Sequence, residues 1–143
     1  MRKNRLSLIV ILLFILLAHM TLSEGAEQKI PLKGNFWRSA AGEVVITDMA
    51  QGQKERSIDA KGLKANGVYT VWFVNMKPKM DMAGVGSGDY SFKADAKGKG
   101  HYTANVPAAE IEKWQILKVA YHTDGDPKNM KGITIVLEAT LRE

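Results

Sequence analysis

The sequence predicts an all-β fold, an antiparallel Greek-key β-sandwich of immunoglobulin-like or cupredoxin-like type, with about eight strands and one short helix. Three observations carry that expectation. Short runs rich in β-branched and aromatic residues recur along the chain. Clusters of Gly, Asn, Asp and Pro separate them at intervals of roughly a dozen residues. Only Pro107–Trp114, with proline ahead of helix formers and acids early, reads as helix, of one or two turns.

The N-terminus precedes this pattern. Arg2, Lys3 and Arg5 form a basic patch, Leu6 to Ala18 is apolar apart from Ser7, and small residues follow from Thr21 to Ala26. This is the layout of a secretory signal peptide, with an apolar core shorter than the ~20 residues of a membrane span. Ser23 and Gly25 are the cleavage points that suit a small-x-small rule. The expected organisation is a signal peptide over 1–25 and one β-sandwich domain over 26–143, exported to a periplasm or secreted, with no membrane span after cleavage. Loss of residues 1–25 removes Arg2, Lys3, Arg5 and Glu24 and lowers the formal charge from +5 to +3. The remaining lysines are spread evenly, which argues against nucleic acid as a partner. The chain has no cysteine, so disulfides, thiolate nucleophiles, zinc–thiolate sites and type 1 copper are excluded.

Taken in order, Lys29–Trp37 reads as a strand with Pro31 near its start, which favours an edge. Gly42–Thr47 is a short strand, and Gln53–Asp59, polar with Ile58 its one large apolar residue, suits an exposed or edge position. Leu63, in the connection that follows, is expected to plug the core. Gly67–Met76 (GVYTVWFVNM) is the strongest run and the expected central strand, buried on both faces. Gly84–Gly88 carries three glycines and reads as a flexible loop. Asp89–Asp95 and Lys99–Val106 alternate apolar with polar residues around an Asp-Ala-Lys-Gly turn and predict a hairpin. Gln115–Thr123 and Gly132–Arg142 are two further strands, joined by the long, turn-rich Asp124–Lys131 loop.

Two groups of side chains point to chemistry. Met76, Met80 and Met82 fall within seven residues behind the central strand, and thioether sulfur is a soft ligand for Cu(I). His122, at the exit of an apolar strand beside Asp124 and Asp126, is the imidazole that would complete such a set. The plainer reading makes the methionines gap-fillers and His122 a strand-end hydrogen-bonding residue. His101 sits on the polar face of its strand. Asp124-Gly125-Asp126 lacks the oxygen ligand and glycine that an EF-hand needs further along, so it reads as a turn. No Gly-x-Ser-x-Gly elbow, P-loop or dinucleotide fingerprint is present.

The stretch Leu63 to Val106 resembles exported bacterial β-sandwich domains of unassigned role. It joins Gly62-Leu63, Gly67-Val68-Tyr69-Thr70-Val71-Trp72-Phe73-Val74 and Phe92-Lys93-Ala94-Asp95-Ala96-Lys97-Gly98-Lys99-Gly100. It is also similar to the C-terminal domain of anti-sigma-K-type factors, which shares a Tyr/Trp strand and an Asp/Gly hairpin. That resemblance implies a sandwich. The sigma-binding role does not transfer, because no cytoplasmic region of useful size precedes the apolar segment. The leading functional expectation is a non-enzymatic binding module acting through Met76–Gly88 and Thr123–Lys131 on a protein or small ligand, without a cofactor. The second is a periplasmic Cu(I) carrier using Met76, Met80, Met82 and His122.

Overall fold

A computed structural model describes residues 26–143; the expected signal peptide, residues 1–25, lies outside the described residues. The strands in chain order are β1 (Glu27–Gly34), β2 (Ala41–Asp48), β3 (Gln53–Lys61), β4 (Val68–Asn75), β5 (Asp81–Gly84), β6 (Ser91–Lys93), β7 (Gly100–Pro107), β8 (Ile116–His122) and β9 (Ile133–Thr140). A helical turn, α1 (Ala108–Ile111), joins β7 to β8. The fold is all-β, antiparallel and sandwich-like, as the sequence predicts. Among the described residues no helix is long and apolar enough to cross a membrane.

All the ladders belong to one curled sheet, with neighbours in the order β5, β4, β8, β9, β1, β2, β3, β7, and β6 also on β4. β3 and β4 are consecutive in the chain yet lie near opposite ends of that order, and so do β7 and β8. β1 meets β9 only through Lys33 with Glu138 and Gly34 with Leu137. The two halves share one core: Leu32, Val44 and Ile58 from one, Val71, Phe73, Leu117, Val119 and Leu137 from the other. Each such side chain contributes roughly 1.5–3 kcal/mol when fully buried. At one end Tyr69 stacks on Phe92 with ring centroids 5.2 Å apart, and Tyr121 and Trp37 pack beside it. Leu63 is buried against this group, as expected of a core plug.

The outer ends of the sheet approach each other through side chains. The Tyr102 hydroxyl on β7 donates to the Val85 carbonyl, and its ring lies 6.1 Å from that of Phe92 on β6.

Several elements depart from expectation. β3 is no edge: it pairs with β2 on one side and β7 on the other, and Arg56, Ile58 and Ala60 face the core. Its polar composition misleads because alternate residues alone set the buried face. β6 and β7 are joined by the predicted Asp95 turn, with the Asp95 N–H donating to the Lys99 carbonyl at 2.8 Å. They do not form a ladder with each other, however; β6 pairs with β4 and β7 with β3. The Met segment holds the unexpected strand β5, paired with Trp72–Asn75 of β4. Pro31 does lie on an unpaired flank, since β1 touches β9 only beyond it.

Candidate functional site

β4 organises the site as well as the core. Its odd-numbered residues Tyr69, Val71 and Phe73 point into the core, and Thr70, Trp72 and Val74 occupy the other face. On that second face β8 contributes His122, opposite Val68, and Lys118, opposite Trp72.

The far flank of β4 is covered by a strand in two pieces. β5 pairs with Trp72–Asn75 and β6 with Val68–Thr70, leaving Val71 to serve the break. The Val85 N–H donates to the Val71 carbonyl at 3.0 Å, and the Val71 N–H donates to the Tyr90 carbonyl at 2.9 Å. The chain leaves the sheet after Val85 and returns at Tyr90, expelling Gly86–Asp89 as a loop. Tyr90 adopts a left-handed backbone (φ 59°), uncommon for a bulky residue. Its ring lies over Gly84, where a Cβ would come within 2.1 Å of it, and meets Trp72 edge-on with centroids 5.4 Å apart.

Pro127, Lys128 and Met130, from the loop between β8 and β9, close the other side. Together with Trp72, Gly88, Asp89 and Tyr90 they line a cleft of about 700 Å³, within the range of small-ligand sites. Asp89 accepts from the Ser91 hydroxyl at 2.6 Å and from the Ser91 N–H at 3.2 Å. These bonds hold its carboxyl below the usual carboxylate range, with Lys128 adding to the effect. The cleft therefore has an aromatic floor, one ionised carboxylate and one ammonium.

From Trp72 runs a polar chain that is buried at Thr70 and His122 and reaches the surface at Asp124. Trp72 Nε1–H donates to Thr70 Oγ1 at 2.8 Å, and Thr70 Oγ1 lies 2.7 Å from His122 Nε2. His122 Nδ1 lies 3.1 Å from the Asn129 carbonyl, which can only accept, so Nδ1 carries the proton. In that tautomer of the neutral ring, Nε2 accepts from the Thr70 hydroxyl. Asn129 Nδ2–H then donates to Asp124 Oδ2 at 2.6 Å. Thr70 and His122 are 0% and 1% exposed. Every link is satisfied, so the chain locks the 123–131 loop onto β4 and fixes the indole plane. The hydroxyl–imidazole contact has the connectivity of a nucleophile and base, but no surface of Thr70 is open to a substrate.

A second polar relay lies on the outer face of β3 and β7. Asp59 accepts from His101 Nδ1–H at 2.7 Å, and His101 Nε2 lies 3.0 Å from Thr103 Oγ1. The order carboxylate, imidazole, hydroxyl is that of a catalytic triad. Yet Asp59 and His101 stand on an open sheet face, both side chains mostly exposed, where water competes for each bond. Asp59 and His101 line an open depression of about 840 Å³ in which Glu43 and Asp95 stand among Lys61, Lys93 and Lys99.

The predicted donors divide. Met82 sits opposite Val74 on β4 and His122 opposite Val68, six positions along the same strand or about 20 Å. With both its ring nitrogens engaged, His122 is not brought to Met76, Met80 and Met82. The two predicted loops also divide: Gly88 meets Thr123–Lys131 at the cleft, whereas Met76–Met80 lies at the opposite end of β4. Asp124 accepts from the Asp126 N–H at 3.0 Å, the turn chemistry its sequence indicates. Sequence reasoning passed over Tyr90 and Thr70 as site residues, since nothing in one dimension marks which face of a buried strand a loop will leave open. Among the described residues no group of three or more His, Asp or Glu is placed to hold a metal ion. No protein-family model matches the chain, and no curated protein or solved structure matches it.

Proposed function

We propose that the chain is an exported, non-enzymatic binding module that takes a small ligand, or a short segment of a partner protein, in the cleft between the Gly86–Asp89 and Thr123–Lys131 loops. The observation that carries this reading is the half-buried Trp72 indole, clamped from below by Thr70 and His122 and flanked by Tyr90 and Met130. A rigid aromatic floor with few convergent charges favours a ligand held by stacking and oriented by Asp89 and Lys128. The apolar leader in the sequence supports export, and the inaccessibility of Thr70 favours binding over catalysis. The likeness to exported bacterial sandwich domains is consistent with that role and adds no ligand.

The test is a screen of small aromatic and zwitterionic fragments by amide and indole N–H chemical-shift mapping. Hits are expected to move the Trp72 indole signal, not those of Trp37 and Trp114, and to weaken about tenfold in Lys128→Ala/Met130→Ala. Shifts scattered over the surface, or hits indifferent to that double variant, would remove the cleft from consideration.

A further inference from the structure

The methionines at the other end of β4 form an arrangement that the cleft does not use. Asn75 pairs with Asp81 and Val74 with Met82, so β4 and β5 are an antiparallel hairpin whose tip is Met76–Met80. Paired residues share a face, and side chains along each strand alternate. The ladder ends at Asn75 and Asp81, and Met76 and Met80 flank that last pair with the same strand parity as Met82. By that parity the three side chains leave one face of the hairpin.

Their exposure is unusual for methionine: 50% at Met76, 66% at Met80 and 43% at Met82. Side chains held that far out of the core add little to packing. The hairpin tip is nonetheless held firmly. Gln115 Oε1 accepts from the N–H groups of Met76 (2.9 Å) and Lys77 (3.3 Å), and its Nε2 donates to the Lys77 carbonyl at 3.2 Å. Asn75 donates to the Lys113 carbonyl and accepts from the Gln115 N–H. The backbone is thus preorganised while the three sulfurs stay accessible. Asn75, the odd-numbered neighbour, is turned the other way, toward Lys113 and Gln115.

We propose that Met76, Met80 and Met82 form a three-thioether site for a soft monovalent cation, Cu(I), independent of His122 and of the Trp72 cleft. Soft, uncharged sulfur donors select Cu(I) over hard divalent ions, and an unbranched thioether adjusts its rotamers to the ion. Binding involves no change of oxidation state when the metal arrives as Cu(I).

The experiment is an anaerobic titration of the purified chain with Cu(I) held by a colorimetric chelator, alongside methionine methyl NMR. One Cu(I) per chain is expected, with the methyl signals of Met76, Met80 and Met82 shifting and those of Met49 and Met130, also partly exposed, staying in place. Met76→Leu/Met80→Leu/Met82→Leu keeps the volume of half-exposed side chains, so the fold should be retained, and is expected to bind at least about a hundredfold more weakly. Met49→Leu should bind as the parent does. The proposal is overturned if the chelator retains the copper, if Met49 and Met130 respond equally, or if the His122 ring signals move with the metal.

Discussion

Arg56 lies on β3 between Ile46 and Ala104, on the core side of the sheet, with no exposed surface. Its Nη1 donates to the Lys54 carbonyl at 2.9 Å, and among the described residues Nε and Nη2 have no hydrogen-bond partner. Burial lowers its pKa to about 10. The sign follows: the charged form is disfavoured by folding, so the penalty is present at neutral pH and is relieved only as pH rises beyond about 10. An apolar side chain of similar length removes it. Arg56→Met is expected to raise stability by about 1–3 kcal/mol in urea unfolding; a loss would show that the guanidinium has a partner of its own. Nothing in the sequence distinguishes Arg56 from Lys54 or Glu55, since core-facing parity on a polar strand depends on which neighbours it acquires. His122 shows the same limit. Its place at the exit of an apolar strand was readable, but its partners Thr70 and Asn129 come from another strand and from a loop folded back on it.

At the scale of elements, runs and turns were legible and pairings were not. β4, β8 and β9 stand out because each combines β-branched with apolar residues, and the Asp95 and Asp124 turns because Asp accepts from the N–H two residues on. β5 escaped notice because its sequence, Asp-Met-Ala-Gly, carries no strand preference and owes its geometry to β4. The 123–131 loop has a pH dependence of its own. The Asp126 N–H and the Asn129 side-chain amide hold the Asp124 carboxyl below the usual range. A depressed acid contributes order that is complete above the ordinary aspartate value and is lost as pH falls through the lowered one. Acidification below about pH 3.9 should therefore loosen this loop, read as loss of the Asn129 side-chain amide signals together with a change in Trp72 fluorescence. Asp124→Asn should remove that transition. A loop that loosens equally in both proteins would place the titrating group elsewhere.

Across the whole molecule, one core is shared by two half-sheets joined by a short seam: the β1–β9 pairs Lys33–Glu138 and Gly34–Leu137, and the Asn35 and Phe36 N–H groups donating to the Val136 and Ile135 carbonyls. Amide hydrogen exchange should resolve this division. Val71, Leu117 and Val119, in the middle of β4 and β8, are expected to exchange slowest, by global unfolding. β5, with a partner on one side only, should open more readily, and Arg56→Met should slow the β3 amides without altering those of β5. Uniform protection would mean that the narrow joint transmits as much cooperativity as a full ladder. The fold class was readable because composition and turn spacing reflect the layers. The interleaved order of the strands was not, because crossovers leave no local mark.

That interleaving bears on how the chain can come into being. β4, with six apolar or aromatic residues in eight, pairs from Val68 to Val74 with β8, which begins at Ile116. A polypeptide delivered N-terminus first presents Val68–Asn75 long before that partner arrives, with only the short β5 and β6 to cover one flank. Neither half-sheet is a continuous piece of chain, so no nascent fragment can mature on its own. Assembly must wait for the last strands, and until they are made the flank of β4 that β8 will cover stays open.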